Sequence, residues 1–281
     1  MQPRWSGLRI HEVKNNLKLI ISDLDGTILK KDSTLSEKVI ESAEKFRNSG
    51  IDLTIATGRI LESALPYIAK LKITKPVILY NGAKIFDPLK REYIYQAFFK
   101  ESEKRLLFEI LQAEKLHAVF FTEEGSYVFN SSPLIEDFRI HDGIELKSSP
   151  LSELLHTDLA KIMIIDEPST VDEIQENIGP EFEKFCSVLR SEKVFLELLP
   201  GGVNKGTALV RLCELLGISP ENTIALGDNP NDFEMLRRAG IGVAAGESHS
   251  VLSEVADIII KENPENVLER LNELLFERRY L

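Results

Sequence analysis

Residues 17–27 read LKLIISDLDGT, a near-continuous apolar run that stops at a polar turn. Such a run is typical of a strand buried on both faces of a parallel sheet, because a strand with one exposed face would alternate apolar and polar residues. We therefore predict a β-strand over Leu17–Ser22, with Asp23 and Asp25 directly beyond its C-terminal end.

The pattern continues outward from that strand. Residues 51–56 (IDLTIA) and 77–80 (VILY) are similar apolar runs. Between the first two runs lies an amphipathic helix signal, with a capping box of Thr34 and Glu37 at its start and Gly50 as its stop. Strands that alternate with helices predict an α/β fold with an open, Rossmann-like parallel sheet.

The pattern of residue types changes over residues 84–196, where short aromatic-rich runs alternate with helical stretches. We predict an inserted α+β domain there. The parallel pattern resumes over residues 197–281, with a helix at 205–216 and strands at 223–226, 241–245 and 257–260. The predicted organisation is thus an extension (1–16), a first part of the core (17–83), the insert and a second part of the core.

Composition narrows the class of protein. The chain has 281 residues, of which 43% are hydrophobic, so it can bury a core. It has no apolar run near the ~20 residues of a membrane span. The net charge of −11 argues against nucleic acid or an acidic membrane as partner. The chain has two cysteines, Cys186 and Cys213, which are too few for a disulfide framework and fit a reducing compartment. We expect a soluble, cytoplasmic protein that is a monomer or a low-order homo-oligomer.

Polar residues follow three of the predicted strands. Asp23 and Asp25 follow the first, Thr57 and Gly58 the second, and Asp228 follows a later one. Ligands of open parallel sheets bind at these carboxyl ends. Clustered carboxylates repel one another unless a cation lies between them, and hard oxygen ligands favour Mg²⁺. The sequence therefore predicts a Mg²⁺ site at this edge.

Four motifs occur in order: DLDGT (23–27), ATGR (56–59), VNKGTAL (203–209) and GDNPNDFEML (227–236). Together they resemble the haloacid dehalogenase superfamily, and more narrowly its Cof-type phosphatases. The resemblance runs from about Leu17 to Leu275. It implies a phosphomonoester hydrolase that acts on small phosphorylated metabolites through an aspartyl-phosphate intermediate.

The resemblance also implies roles for single residues. Asp23 would be the nucleophile, and Asp25 the acid that protonates the leaving group and then the base that activates water. Thr57 and the amide of Gly58 would bind phosphate oxygens, and Lys205 would neutralise them and hold Asp23.

The implied metal ligands are Asp23, the main-chain carbonyl of Asp25, and Asp228. Asn231 would be a further contact to phosphate. Asp232 would orient Lys205 or a metal-bound water from behind, although it could instead be only the N-cap of its helix.

Other readings of the motif residues stay open. Arg59 could take part in the site or be an exposed residue at a helix start. Asn81-Gly82 is more typical of a turn than of a ligand contact. The phenylalanines and tyrosine at 120, 121, 127 and 129 could line a substrate site, but the core of the insert is their more ordinary role. The segment Gly246-Glu247-Ser248 departs from the Gly-Asn-Ala of the family, which puts local ordering or cation affinity in doubt.

The insert falls between Thr57 and Lys205, the place of the α+β cap in Cof-type members. In them it closes over the strand ends and contacts the rest of the substrate. Two alternatives remain beside the hydrolase: a phosphohexomutase of the phosphomannomutase kind, and a phosphate-binding regulator without turnover.

Overall fold

The structure is a computed structural model that describes residues 16–276. Its internal contacts divide it into two compact units, one formed by the described residues up to Ile94 and from Lys205 onward, the other by Tyr95–Asn204. Apart from Asn16, the predicted extension 1–16 lies outside the described residues. Cys186 and Cys213 are both buried and free.

The strands of the described chain, in order, are β1 (Leu19–Ser22), β2 (Asp52–Ile55), β3 (Val77–Leu79), β4 (Lys84–Asp87), β5 (Glu92–Gln96), β6 (Ala118–Thr122), β7 (Ser126–Phe129), β8 (Leu146–Ser148), β9 (Leu159–Ile165), β10 (Cys186–Glu192), β11 (Phe195–Pro200), β12 (Thr223–Gly227), β13 (Ile241–Ala245) and β14 (Ile258–Ile260). The α-helices are α1 (Glu37–Asn48), α2 (Leu61–Lys70), α3 (Glu101–Ala113), α4 (Pro133–Asp142), α5 (Leu151–Leu154), α6 (Pro168–Asn177), α7 (Gly179–Phe182), α8 (Lys205–Leu216), α9 (Phe233–Arg238) and α10 (Pro264–Phe276). Short 3₁₀ helices occupy Tyr80–Gly82, Pro220–Asn222, Pro230–Asp232 and Ser250–Glu254.

The first unit is built on a five-stranded sheet in the order β14-β13-β12-β1-β2, with every neighbouring pair parallel. The four residues of β1 are all buried, as expected for a strand covered on both faces. The predicted α/β fold with an open parallel sheet is confirmed. Because β1 lies between β2 and β12, the residues that follow these three strands emerge side by side at one edge.

The third predicted strand, β3, joins this sheet only through a parallel bridge between Ala56 and Ile78. It ends after three residues because Tyr80 and Asn81 both adopt the left-handed conformation, with φ of 52° and 51°. The chain then turns back into β4, which pairs antiparallel with β3.

The predicted insert 84–196 and the second unit therefore differ at both ends. Residues from Lys84 onward first form β4, which pairs with a strand of the first unit, and the division falls after Ile94. At the other end, β11 pairs with β9 and β10, which keeps Phe195–Pro200 in the second unit. Strand pairing keeps β11 in the second unit, whereas the first boundary falls inside β5. The residue composition reveals neither position.

The second unit is a six-stranded sheet in the order β10-β11-β9-β6-β7-β8, with helices against it. Its pairs are antiparallel except for β7 and β8. Phe120 lies in the hydrophobic core, with its ring 5.2 Å from that of Phe108, and Phe129 and Tyr127 pack against the same core. The structure therefore supports the core role for Phe120, Tyr127 and Phe129. Phe121 is also buried but lies outside this cluster, with Nζ of Lys161 4.7 Å from its ring centre.

Helix α1 begins two residues later than its predicted capping box implies. Ser36 is the N-cap, and its side chain accepts from the N–H of Val39. Thr34 instead donates both its N–H and its hydroxyl to Asp32, so it belongs to the preceding turn. Gly50 adopts φ of +79°, which suits its predicted role as the stop. Within residues 16–276, no helix has the length and apolar character that crossing a membrane requires.

Candidate active site

Asp23 lies at the C-terminal end of β1, in the middle of the sheet. Its N–H donates to the carbonyl of Leu226 at 2.9 Å, which continues the ladder between β1 and β12 and fixes the backbone. The carboxylate is buried. Burial raises the pKa of Asp23 well above its ordinary value, and Lys205 lowers it in part.

Lys205, the first residue of α8, lies between two carboxylates. Its Nζ is 2.9 Å from Oδ1 of Asp23 and 2.7 Å from Oδ1 of Asp232, and its side chain is fully buried. Burial opposes the charge on this lysine, but the two aspartates more than offset it, so the pKa of Lys205 is raised. The ammonium group therefore stays charged and holds Asp23 in place.

Asp228 follows β12 and stands beside the turn after β1. Its Oδ1 accepts from the hydroxyl of Thr27 at 2.6 Å. Gly26 has φ of +74°, and a Cβ there would lie 2.2 Å from Oδ2 of Asp228, so only glycine allows this approach. Burial raises the pKa of Asp228 to about 7, and the charge of Asp232 adds to the shift.

Asp232 uses its two oxygens for different tasks. Oδ1 accepts from Lys205, and Oδ2 accepts from the N–H groups of Asp228 (3.0 Å) and Asn229 (3.1 Å). Asp232 therefore contacts Lys205, as its predicted orienting role requires. Its carboxylate makes no capping bond to the helix that follows, and it binds the backbone of the preceding loop instead.

The acidic side chains that could share a metal ion are those of Asp23, Asp228 and Asp232, each with an oxygen within 4.8 Å of the others. One lysine balances only part of their charge. The donors are hard oxygens, which fit Mg²⁺. The carboxylate of Asp25 is not in this group, which is compatible with the predicted contribution of its main-chain carbonyl alone.

Asp25 instead pairs with Arg59. The guanidinium donates from Nε to Oδ2 at 2.8 Å and from an Nη to Oδ1 at 2.7 Å. The Arg59 side chain is 14% exposed, so its alternative role as an exposed residue at a helix start is wrong. Its guanidinium also lies 5.3 Å from the ring centre of Tyr67.

Two further residues predicted to contact phosphate, Thr57 and Asn231, lie near the turn at Asn81. Thr57 follows β2 and is buried, and its hydroxyl accepts from the N–H of Arg59 at 3.2 Å. Asn231 is also buried, and its Nδ2 donates to Oδ1 of Asn81 at 3.1 Å. Asn81 does lie in a turn, as predicted, but its side chain is fully buried against predicted site residues.

Sequence reasoning gave Thr27 no role and treated Asn81 mainly as a turn residue, with no link to Asn231. Thr27 stands inside the DLDGT motif, so its position was a usable signal. Asn81 offered none, because its contact to Asn231 joins residues 150 apart in the chain.

The segment that departs from the family pattern still reaches this site through its backbone. Gly246 adopts φ of +62°, and its N–H donates to the carbonyl of Ile260 at 2.8 Å. Three residues later, the N–H of His249 donates to the carbonyl of Asp228 at 2.7 Å. The loop after β13 therefore supports the main chain of Asp228.

Comparison with known proteins agrees with this arrangement. The sequence profile of the haloacid dehalogenase-like hydrolases matches residues 20–270. The chain is 26% identical over 257 residues to a 5-amino-6-(5-phospho-D-ribitylamino)uracil phosphatase of Bacillus subtilis, covering 90% of this chain and 95% of that protein. It is 28% identical over 234 residues to an HMP-PP phosphatase of Cronobacter sakazakii, covering 80% of this chain and 83% of that protein.

Solved structures give the same result. A haloacid dehalogenase-like hydrolase from Bacteroides thetaiotaomicron is 25% identical with a TM-score of 0.77, covering 91% of this chain and 99% of that one. A protein from Thermotoga maritima is 26% identical with a TM-score of 0.76, covering 92% and 96%. With a profile match over most of its length, the chain belongs to the haloacid dehalogenase-like hydrolases, among the Cof-type phosphatases.

Proposed function

We propose that this protein is a Mg²⁺-dependent phosphomonoester hydrolase that works through an aspartyl-phosphate on Asp23. One observation carries the proposal: the fully buried ammonium of Lys205 lies within 2.9 Å of Asp23 and 2.7 Å of Asp232, next to Asp228. Purely structural use of so many buried charges would be costly. A site that must receive a phosphate dianion next to a carboxylate needs such compensation.

In the first step, a carboxylate oxygen of Asp23 attacks phosphorus, and the bond between phosphorus and the ester oxygen breaks. Asp25, once one of its oxygens is freed from Arg59 and carries a proton, gives that proton to the departing alkoxide, which leaves as an alcohol. Lys205 holds the attacking carboxylate and offsets the charge on the phosphoryl oxygens.

In the second step, water attacks the phosphorus of the aspartyl-phosphate, and Asp25 takes up its proton. The bond to Asp23 breaks, inorganic phosphate leaves, and both aspartates return to their starting forms. A bound Mg²⁺ would supply Lewis-acid charge against the phosphoryl oxygens. Asp23, the carbonyl of Asp25 and Asp228 would hold the ion, while Thr57, Gly58 and Asn231 would bind the phosphate.

The substrate class is a small phosphorylated metabolite. Two relatives carry names of phosphatases that act on a phosphorylated ribitylaminouracil and on HMP-PP. These names support a phosphate ester of a small polar molecule without selecting one.

The test is phosphate release from a panel of sugar phosphates, nucleotides, phosphoglycolate and an aryl phosphate, with Mg²⁺ or with EDTA. Asp23→Asn keeps the shape of the side chain but removes the nucleophile, so release should fall on the order of 10⁴-fold. Asp32→Asn is a matched control, because Asp32 lies on the same loop but is exposed, and its carboxylate accepts from the N–H and the hydroxyl of Thr34.

Release that survives both EDTA and Asp23→Asn would refute the proposal. Absence of release from every ester, by a folded protein that still binds Mg²⁺, would also count against it. If the phosphoryl group on Asp23 is transferred to a sugar in preference to water, the protein is a mutase and not a hydrolase.

A further inference from the structure

Asn81 occupies a turn that most residues would avoid. It follows β3 with φ of 51° and ψ of 29°, in the left-handed region, and its neighbour Tyr80 also has positive φ. Asparagine tolerates this conformation better than other residues with a side chain. Its side chain is fully buried, so the strained turn places an amide in the interior.

The contacts of Asn81 run to both of the segments proposed to bind phosphate. Its N–H donates to the carbonyl of Thr57 at 3.0 Å, and its Oδ1 accepts from Nδ2 of Asn231 at 3.1 Å. A Cβ on Gly58 would lie 2.9 Å from Asn81 Nδ2, so the side chain packs directly on the backbone of Gly58. Asn81 is therefore the physical link between the turn after β2 and the turn after β12.

Asn231 has an atom that the protein does not use. Its Oδ1 is buried and has no hydrogen-bond partner among the described residues. An amide oxygen only accepts, so it cannot bond to an oxygen of a phosphate dianion; the group that can donate to one is the second N–H of Nδ2, whose first N–H goes to Asn81. The bond to Asn81 holds the amide of Asn231 in one orientation, and so sets where its remaining polar positions point.

We propose that Asn81 is a positioning residue, which orients the amide of Asn231 for a phosphate group. This inference rests on the proposed function, in which Asn231 binds phosphate. Asn81 itself does not need to touch the substrate. Its removal should weaken phosphate binding only as long as Asn231 is present to be oriented.

The experiment is a double-mutant cycle of Asn81→Gly and Asn231→Ala, read out as the inhibition constant of inorganic phosphate together with kcat and KM. Glycine keeps the left-handed turn and removes only the amide. Each single variant should raise the inhibition constant about tenfold, the size expected for one lost hydrogen bond in a buried site. The double variant should be no weaker than Asn231→Ala alone.

Asn130→Gly is the matched control. Asn130 is also left-handed, with φ of 49°, and its side chain donates to the carbonyl of Leu116 in the second unit. Its replacement should leave phosphate inhibition unchanged. If Asn81→Gly does not fold, as judged by its thermal transition, Asn81→Ser takes its place in the cycle.

An unchanged inhibition constant in a folded Asn81 variant would overturn the inference, and so would effects that simply add in the double variant. Failure of the proposed function is a separate result, because it would appear as wild-type release that does not need Asp23. In that event the cycle is read out by calorimetric titration with inorganic phosphate, where unaltered affinity of the Asn81 variant again overturns the inference.

Discussion

Arg59 binds Asp25 through two parallel hydrogen bonds, an arrangement that fixes the direction of a carboxylate better than a single contact. The arginine is itself held, because an Nη donates to the hydroxyl of Ser33 at 3.4 Å and Tyr67 donates to the carbonyl of Ser33 at 2.9 Å. We infer that this chain of contacts determines where the proposed acid and base, Asp25, can reach.

The effect of replacing Arg59 on the rate of hydrolysis should therefore depend on the leaving group. Arg59→Met should slow hydrolysis of an alkyl phosphate about 10–100-fold, part of the ~10²–10⁴ that a positioned acid contributes. A nitrophenyl phosphate, whose leaving group needs little protonation, should be affected less in its first step. The measurement is kcat/KM on both esters, and Arg139→Met, which breaks an exposed fork to Glu136, is the control. Equal losses on both esters would contradict a role through Asp25.

Asp228 should make stability depend on pH in metal-free protein. Its pKa is raised by burial to about 7, whereas in an unfolded chain it is about 3.9. Between about pH 4 and pH 7 the Asp228 carboxyl is therefore protonated in the folded state and ionised in the unfolded chain. The free energy of unfolding is highest below about pH 4 and falls as the pH rises to 7. The slope is at most about 1.4 kcal/mol per pH unit.

Asp228→Asn removes this titration. In EDTA, the difference in free energy of unfolding between wild type and variant, measured by urea denaturation, should shift against the wild type as pH rises from 4 to 7. Two curves that stay parallel over this range would show that the carboxylate does not titrate there.

Residues at strand ends were predictable, and residues that act through a distant partner were not. Asp23, Thr57 and Asp228 could be placed together because parallel neighbours deliver their ends to one edge. The partnership of Asn81 with Asn231 depends on how two loops meet in three dimensions. Periodicity and spacing along the chain do not predict a contact between two such distant loops.

Helix α8 depends on a glycine for its close approach to α9. A Cβ on Gly206 would lie 2.5 Å from the carbonyl carbon and oxygen of Glu234. At an exposed helix position, glycine to alanine raises stability by up to about 1 kcal/mol. Here Gly206→Ala should instead lower the free energy of unfolding by about 1–3 kcal/mol, the usual cost of overpacking.

Urea denaturation measures this change. Gly201→Ala is a suitable control, because a Cβ there would meet only the carbonyl of Phe185 at an ordinary 3.6 Å. A Gly206→Ala protein as stable as wild type would mean that α8 can move away from α9 at no cost. Since Lys205 begins the same helix, such movement should also appear as a loss of activity.

Elements with strong end signals were predicted well. Helix Lys205–Leu216, closed by Gly217, and strand Ile241–Ala245 have the predicted bounds. Strand β3 was harder, because it ends at a left-handed tyrosine, a residue with no preference for that conformation. The second boundary between the units follows the pairing of β11 with β9 and β10, and β9 lies about 30 residues earlier in the sequence.

At the scale of the whole molecule, charge is the dominant feature. The chain carries a net charge of −11, and three aspartates cluster at the candidate site, where one buried lysine pairs with two of them. Any added salt should relieve general repulsion by screening. A cation bound between these carboxylates should stabilise the fold further, because it binds the folded state and not the unfolded chain.

Mg²⁺ should therefore raise the free energy of unfolding more than NaCl does at the same ionic strength. At a concentration 100 times the dissociation constant, the gain from binding is about 2.7 kcal/mol. Asp228→Asn should lose this specific gain and keep the response to NaCl, since the variant changes the net charge by only one unit. Thermal unfolding of both proteins in MgCl₂, NaCl and EDTA makes the comparison. If the two salts stabilise the wild type equally, Mg²⁺ acts only by screening, and the carboxylates are held together by Lys205 and their hydrogen bonds alone.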